Sequence, residues 1–314
     1  MSFCDEVRKE IISKPIKEKH CKYAFLSGLI RGNGVLFTKD DKLGFEFSVK
    51  DEKTAYLLGE YFLELFNYEL REIAVQNSKN KEKFIITLTE DNAEEILKTL
   101  KIIDEKDGNY IVVSEYPEEL LDKECCKVAF IKGVFLSAGN CTLPNENKSS
   151  KTGYHLQISC SHSSFASILS DVLQKNRINV KISRNKGAYL VYLKSAEEIS
   201  DFLAYIQAPV SVIKLTDTMV ERTFINGVNR RKNCDLGNVN RQLDATIKQT
   251  NAINLIEKTI GIKNLKKDLQ EVCFARLDNP EDSIIELSKK LNLSKSCINH
   301  RFRKIISIAE EIKE

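Results

Sequence analysis

Residues 21–37 and 126–142 of this chain are two versions of one segment, CKYAFLSGLIRGNGVLF and CKVAFIKGVFLSAGNCT, offset by 105 positions. The stretch after each copy repeats as well. After the first come a strand-like LGFEFSV, a helical DEKTAYLLGEYFLELF, strand-like YELREIAV and KFIITLT, and a helical DNAEEILKTLKII. After the second come GYHLQISC, SSFASILSDVLQK, INVKISR, AYLVYLK and SAEEISDFLAYI. Both halves therefore read helix, two strands, helix, two strands, helix. A duplication of this length implies two similar units packed about a pseudo-twofold axis.

The offset also aligns Gly28 with Gly133 and Gly34 with Gly139. Glycine inside an apolar helix costs ~1 kcal/mol of helix propensity, a loss that close approach of a partner backbone can offset. Gly28 and Gly133 are therefore expected where the two helices cross. Gly34 and Gly139 are expected at the helix ends, where the chain turns into a strand.

The last third of the chain has a different pattern. From Ser283 to Glu311 it reads SIIELSKKLNLSKSCINHRFRKIISIAEE, with Ile284, Leu287 and Leu291 forming one helical stripe. Asn292 suits a left-handed turn, Leu293 a plug into the core, and Ser294 the cap of a second helix. In that helix Ile298, Phe302, Ile305 and Ala309 form an inward face, and Ser296, His300, Arg303 and Lys304 the opposite one, with Asn299 at its edge. Six basic residues fall between 289 and 304 with no acidic residue among them. This is the pattern of a helix-turn-helix whose second helix enters the major groove of double-stranded DNA. Candidate DNA-binding residues are Lys295, Ser296, Asn299, His300, Arg301, Arg303 and Lys304, since Asn and Arg match adenine and guanine edges bidentately. Lys289 and Lys290 are candidate phosphate contacts. A solvated amphipathic hairpin is the bland alternative.

Charge distribution supports the same division of labour. From Arg222 onward there are 18 basic and 12 acidic side chains, a net of +6, against 30 and 33 before it, a net of −3. The nucleic-acid footprint is thus expected in the C-terminal part. In the front part, Lys79, Lys81, Lys83, Lys181, Arg184 and Lys186 make local basic patches on or beside strands. Phe224 to Gln242, rich in Asn, Arg and Gly, reads as an irregular connector. There Arg230, Arg231, Lys232 and Arg241 are candidate phosphate contacts. Leu243 to Leu277 is helical in pattern, and Pro280 breaks the chain before Asp282 or Ser283 caps the next helix. The expected domains are 1–113, 114–222, a linker at 223–242, and 243–314.

No apolar run approaches a membrane span, and MSFCDEVRKEII carries acidic residues where a signal peptide would be basic; Ser2 and Asp5 suggest a capped helix start. A cytoplasmic, nucleoid-associated protein is expected. The nine cysteines contain no CxxC pair, and His20, His155, His162 and His300 show no ligand spacing with them. Neither a bound metal nor another cofactor is expected.

The pieces LSGLIRGNG and IKGVFLSAG resemble the nine-residue LAGLIDADG signature of homing endonucleases. The resemblance implies that the acidic residue before the last glycine of each copy holds a divalent metal for phosphodiester hydrolysis. Those positions here are Asn33 and Ala138, and neither supplies the carboxylate that Mg²⁺ prefers. Asp40 and Asp41 follow the first copy but have no counterpart in the second. A catalytically inactive scaffold is therefore expected; the alternative is a metal-dependent endonuclease or RNA maturase. Together with NRRKNCDLGNVNRQLDATIKQTNAI and ARLDNPEDSIIELSKKLNLSKSCINHRFRKI, the pair resembles the WhiA family of bacterial transcription regulators. That resemblance implies an α+β fold, with two pseudo-symmetric αββαββα units followed by an all-α helix-turn-helix domain. It also implies a DNA-binding regulator without enzymatic activity, tied to sporulation, cell division and chromosome segregation. The front unit's acidic balance suits an interaction module for other transcription or division proteins, and auxiliary DNA contact through its strands is the open alternative.

Overall fold

The computed structural model describes residues 2–39, 42–78, 81–89, 92–106, 109–113, 116–144, 153–185 and 187–312. The chain divides into two compact units, 1–221 and 222–314. Both sequence halves lie inside the first unit and share one core, so the boundary near 113 separates repeats rather than independent bodies.

The first unit opens with α1 (Phe3–Ile12), started by a capping box in which Ser2 and Asp5 satisfy each other's backbone N–H. The first repeat then runs α2 (Lys19–Asn33), β1 (Val35–Lys39), β2 (Lys42–Val49), α3 (Glu52–Phe66), β3 (Glu72–Ser78), β4 (Lys81–Leu88) and α4 (Asn92–Thr99). A hairpin, β5 (Ile103–Lys106) and β6 (Asn109–Val112), leads into the second repeat. That repeat runs α5 (Glu124–Ala138), β7 (Gly139–Thr142), β8 (His155–Cys160), α6 (Ser163–Lys175), β9 (Lys181–Asn185), β10 (Ala188–Leu193) and α7 (Ala196–Tyr205). The expected αββαββα order is present twice.

Each repeat makes a four-stranded antiparallel sheet of the same order, β1-β2-β4-β3 and β7-β8-β10-β9. Alternation decides which face is buried. In the first sheet Phe45, Phe47 and Val49 of β2 pair with Leu88, Ile86 and Phe84 of β4, all buried. In the second, Leu156 and Ile158 of β8 pair with Leu193 and Val191 of β10. Helix α3 is capped by Asp51, whose carboxylate accepts from Thr54 N at 2.9 Å, and is ended by Asn67 in the left-handed region (φ 51°).

Helices α2 and α5 pack along one another at the centre of the unit. A Cβ on Gly28 would collide with the Phe130 carbonyl, and one on Gly133 with the Phe25 carbonyl. Each glycine thus admits the other helix's backbone, as the offset implied. Gly34 and Gly139 do end the helices, but in extended conformation (φ −72°, ψ 146° and φ −76°, ψ 146°), not the left-handed one. Glycine is needed there for room: a Cβ would meet the carbonyls of Ile30 and Phe135 in the preceding turn.

The segment expected to be an irregular connector is helical. Helix α8 runs from Pro209 to Thr259 and passes through 223–242. No proline interrupts residues 210–279. Extending a formed helix costs far less than nucleating one, so helical flanks propagate through Gly227 and Gly237. Val220, Phe224, Val228, Val239, Leu243 and Ile247 are exposed and widely spaced, too sparse a pattern to mark a helix from sequence.

In the second unit, α8 is followed by a 3₁₀ turn (Ile262–Asn264), α9 (Lys267–Asp278), α10 (Ile284–Lys290) and α11 (Lys295–Glu311). A separate core of Ile253, Ile256, Leu269, Val272, Leu287, Ile298, Phe302 and Ile305 holds them together. No helix among the described residues is long and apolar enough to cross a membrane.

Candidate functional site

Helices α10 and α11 form the turn that the sequence suggested. Ser283 starts α10 through a capping box with Glu286. Asn292 takes φ 50°, and Ser294 caps α11, its hydroxyl accepting from Cys297 N at 3.2 Å. The inward residues Ile298, Phe302, Ile305 and Ala309 are buried. Behind them lies Arg276, 1% exposed, which had no sequence signal. It donates to Gln249 Oε1 (3.1 Å) and the Asp282 carbonyl (2.6 Å) and lies 5.4 Å from the Phe302 ring centroid. Burial lowers its pKa. One guanidinium thus ties α8, α9, the loop before α10, and α11 together, which fixes the orientation of the outer face.

On that outer face Lys295, Ser296, His300, Arg303 and Lys304 are exposed, and Asn299 is half-buried at its edge. Two candidates are committed elsewhere. Arg301 donates to the Asp268 carbonyl at 2.9 Å and pairs with Glu271 at 3.3 Å, with its side chain only 15% exposed. Lys290 pairs with Asp282 at 2.7 Å and with the Asn279 side chain. Both make contacts within the motif, Arg301 largely buried and Lys290 still half exposed. Lys289 remains exposed, as do Arg230, Arg231, Lys232 and Arg241 on α8. In the front unit Lys83, Lys181 and Arg184 are exposed on strands. Lys79 and Lys186, the Lys81 side chain, and Asp40 and Asp41 lie outside the described residues.

The C-terminal ends of α2 and α5 are where a hydrolytic metal would be held in an endonuclease. Asn33 turns its amide nitrogen to Ser48, donating to the carbonyl (2.7 Å) and to Oγ (3.1 Å), and its buried Oδ1 has no partner among the described residues. Ala138 offers no ligand atom. Arg8 of α1, 4% exposed, donates to the Gly139 carbonyl and pairs with Asp5 at 3.4 Å. Arg8 and Asn33 line one cleft of about 910 Å³, together with Asp5, Ser48, Lys50, Glu82, Lys83, Ser137 and Asn140. At the two signature positions a divalent cation would meet one neutral amide oxygen and no second ligand, and the cleft's carboxylates, Asp5 and Glu82, lie among the cations Arg8, Lys50 and Lys83, so the residues do not fit the metal.

The opposite, N-terminal ends of the same helices bring together residues that linear spacing left apart. The cysteines were expected to be incidental, with no histidine placed to join them. Instead the ligand atoms of His20, Cys21, Cys125 and Cys126 all lie within 4.8 Å of one another. His20 Nδ1 is 3.2 Å from Cys126 Sγ and 3.3 Å from Cys21 Sγ. Burial, then the neighbouring thiols, pushes Cys21 up to about 12. Linear spacing could not show this, because the ligands come from two helices; the 105-residue offset, which superimposes His20 on Cys125 and Cys21 on Cys126, was the available signal.

Comparison with known proteins covers all these parts. The N-terminal LAGLIDADG-like domain model of WhiA matches residues 19–103, the WhiA LAGLIDADG-like domain residues 127–224, and the WhiA C-terminal HTH domain residues 228–309. A "Probable cell division protein WhiA" of Caldicellulosiruptor saccharolyticus is 33% identical over 323 residues, covering 100% of this chain and 96% of its own. The chain belongs to the WhiA family. A WhiA protein of Bacillus subtilis with the same description is also 33% identical, over 100% of this chain and 98% of its own. The crystal structure of full-length DUF199/WhiA from Thermatoga maritima is similar in fold, with a TM-score of 0.56 at 26% identity and 99% of each chain covered. The α+β architecture of duplicated LAGLIDADG-like units and a helical HTH is thus a property the chain shares with that structure.

Proposed function

We propose that this chain is a sequence-specific, double-stranded-DNA-binding regulator of transcription. Its front unit serves as a catalytically inactive, endonuclease-like scaffold. The observation that carries the reading is the outer face of α11. There Lys295, Arg303 and Lys304 stand exposed and pair with no carboxylate among the described residues, while Arg301 and Arg276 hold the helix in place. A preorganised cationic helix loses little freedom on meeting phosphate, and counterion release supplies sequence-independent affinity. Asn299, Arg303, Ser296 and His300 are the base-edge readers; Lys289, Lys295, Lys304, Arg230, Arg231 and Lys232 contact phosphate. The relatives' description as cell division proteins supports a role in cell division. Chromosome segregation and sporulation follow from the family resemblance. A nucleoid-associated place in the cytoplasm fits a DNA reader, and the less basic front unit suits protein partners.

Catalytic inactivity draws support from Arg8, which puts positive charge where the resemblance to endonucleases asks for a metal. Fluorescence anisotropy on specific and random duplexes at matched salt tests the reading. Arg303→Ala and Asn299→Ala should each lower specific affinity by ~1–3 kcal/mol. Equal losses on random DNA would assign them to phosphate instead. Removing residues 224–314 should abolish most binding. Chelator-sensitive nicking of plasmid by the purified protein would establish the endonuclease alternative.

A further inference from the structure

We propose that His20, Cys21, Cys125 and Cys126 bind one zinc ion as a Cys₃His site joining the N-terminal ends of α2 and α5. Four ligand atoms of these types, mutually within 4.8 Å, are what a tetrahedral zinc centre requires. Bond lengths of about 2.3 Å to sulfur and 2.0–2.1 Å to nitrogen give tetrahedral edges of roughly 3.5–3.8 Å. The His20 contacts at 3.2 and 3.3 Å already lie close to that, so small side-chain rotations close the rest.

The placement follows from the duplication. Equivalent first-turn positions of two equivalent helices converge at the pseudo-twofold axis, and each position carries a soft ligand. Neither helix start is capped by a side chain: Glu18 and Lys123 make no capping hydrogen bond. The open amide N–H groups and the helix dipole oppose the burial that raises these thiols, and a bound zinc would deprotonate them outright. Cys21 and Cys126 are buried while Cys125 is exposed, which gives the ion a path in. From Cys21 to Gly28 is about 10 Å along the helix, so the ion would clamp the pair roughly two turns from its glycine crossing.

The test uses the full-length chain purified under reducing conditions, with zinc and then cobalt(II) as probes. Elemental analysis should find near one zinc per chain, and cobalt should give the visible ligand-field bands and sulfur charge-transfer absorption of a tetrahedral thiolate site. His20→Ala and Cys125→Ser, at the two less buried positions, should keep a native circular dichroism spectrum. Each should weaken zinc binding by more than the roughly 10–100-fold expected on losing a mere outer-shell partner. Cys234→Ser, at an exposed cysteine on α8, should change nothing. A folded, reduced wild type that neither retains zinc nor gives the thiolate–cobalt spectrum overturns the proposal. So does a Cys21–Cys126 disulfide in protein kept under reductant, or zinc binding unchanged in both variants.

Discussion

The two ends of the α2–α5 pair have diverged in opposite senses. At the C-terminal ends the symmetric positions hold Asn33 and Ala138, which share no chemistry, and a guanidinium from α1 lies in the cleft. At the N-terminal ends the symmetric positions hold His20, Cys21, Cys125 and Cys126, all of types that ligate metals and with their ligand atoms within 4.8 Å of one another. The helices and the crossing are common to both ends; only a few side chains differ. A LAGLIDADG-like pair is thus a scaffold whose ends accept unrelated chemistries, because the glycines between them set the geometry.

The largest effect should come from the crossing. Gly28→Val forces a side chain onto the Phe130 carbonyl and should cost about 3 kcal/mol or more, read as a lower denaturation midpoint. Gly59→Ala on α3, where a Cβ meets nothing within 4 Å, should instead stabilise by up to ~1 kcal/mol. If Gly28→Val is as stable as wild type, the shared-scaffold comparison fails.

Next comes the occupied end. Arg8→Ala leaves the Gly139 carbonyl without its charged donor and should cost ~1.5–3 kcal/mol in urea titration. Asn33→Asp with Ala138→Asp restores carboxylates beside Arg8, yet plasmid nicking should stay at background. Magnesium-dependent cleavage by that double variant would show the two ends to be less different than they look.

The smallest effect, per side chain and per pH unit, is an alkaline slope from cysteines at neither end. Burial holds the thiols of Cys160 and Cys273 up at about 12, against an ordinary 9.0. A raised folded-state pKa means the contribution is complete below pH 9 and fades as pH climbs toward 12. The slope is at most ~1.4 kcal/mol per pH unit per thiol. Thermal denaturation of reduced protein from pH 8 to 10.5 should show it, and Cys160→Ala should make it shallower. An unchanged slope would mean that other groups govern the alkaline limb.

Much of the architecture is legible because it is periodic. Phe45, Phe47 and Val49 alternate, Ile298, Phe302 and Ile305 follow a helical stripe, and Gly28 and Gly133 share an offset. The features that escape are not periodic along the chain. Arg8 sits in a segment that shares no motif with the positions it serves, and Arg276 looks like any surface arginine until three helices close over it. Arg301 and Lys290 pass for free cations in the sequence because charge patterning counts residues and ignores where their carboxylate partners fold to. The hairpin β5–β6 offers too few residues for a pattern, and α8 hides behind an Asn- and Gly-rich composition.

The reciprocal seating of Gly28 on the Phe130 carbonyl and Gly133 on the Phe25 carbonyl works as a detent. Rotating either helix about its axis by one residue position would bring a bulkier neighbour, Ser27 or Leu29 on one side and Lys132 or Val134 on the other, into a notch that admits only hydrogen. Such a joint has one resting position. Drift at the tips therefore leaves the span between them unaltered, and new side chains can be tried at either tip without re-setting the machine.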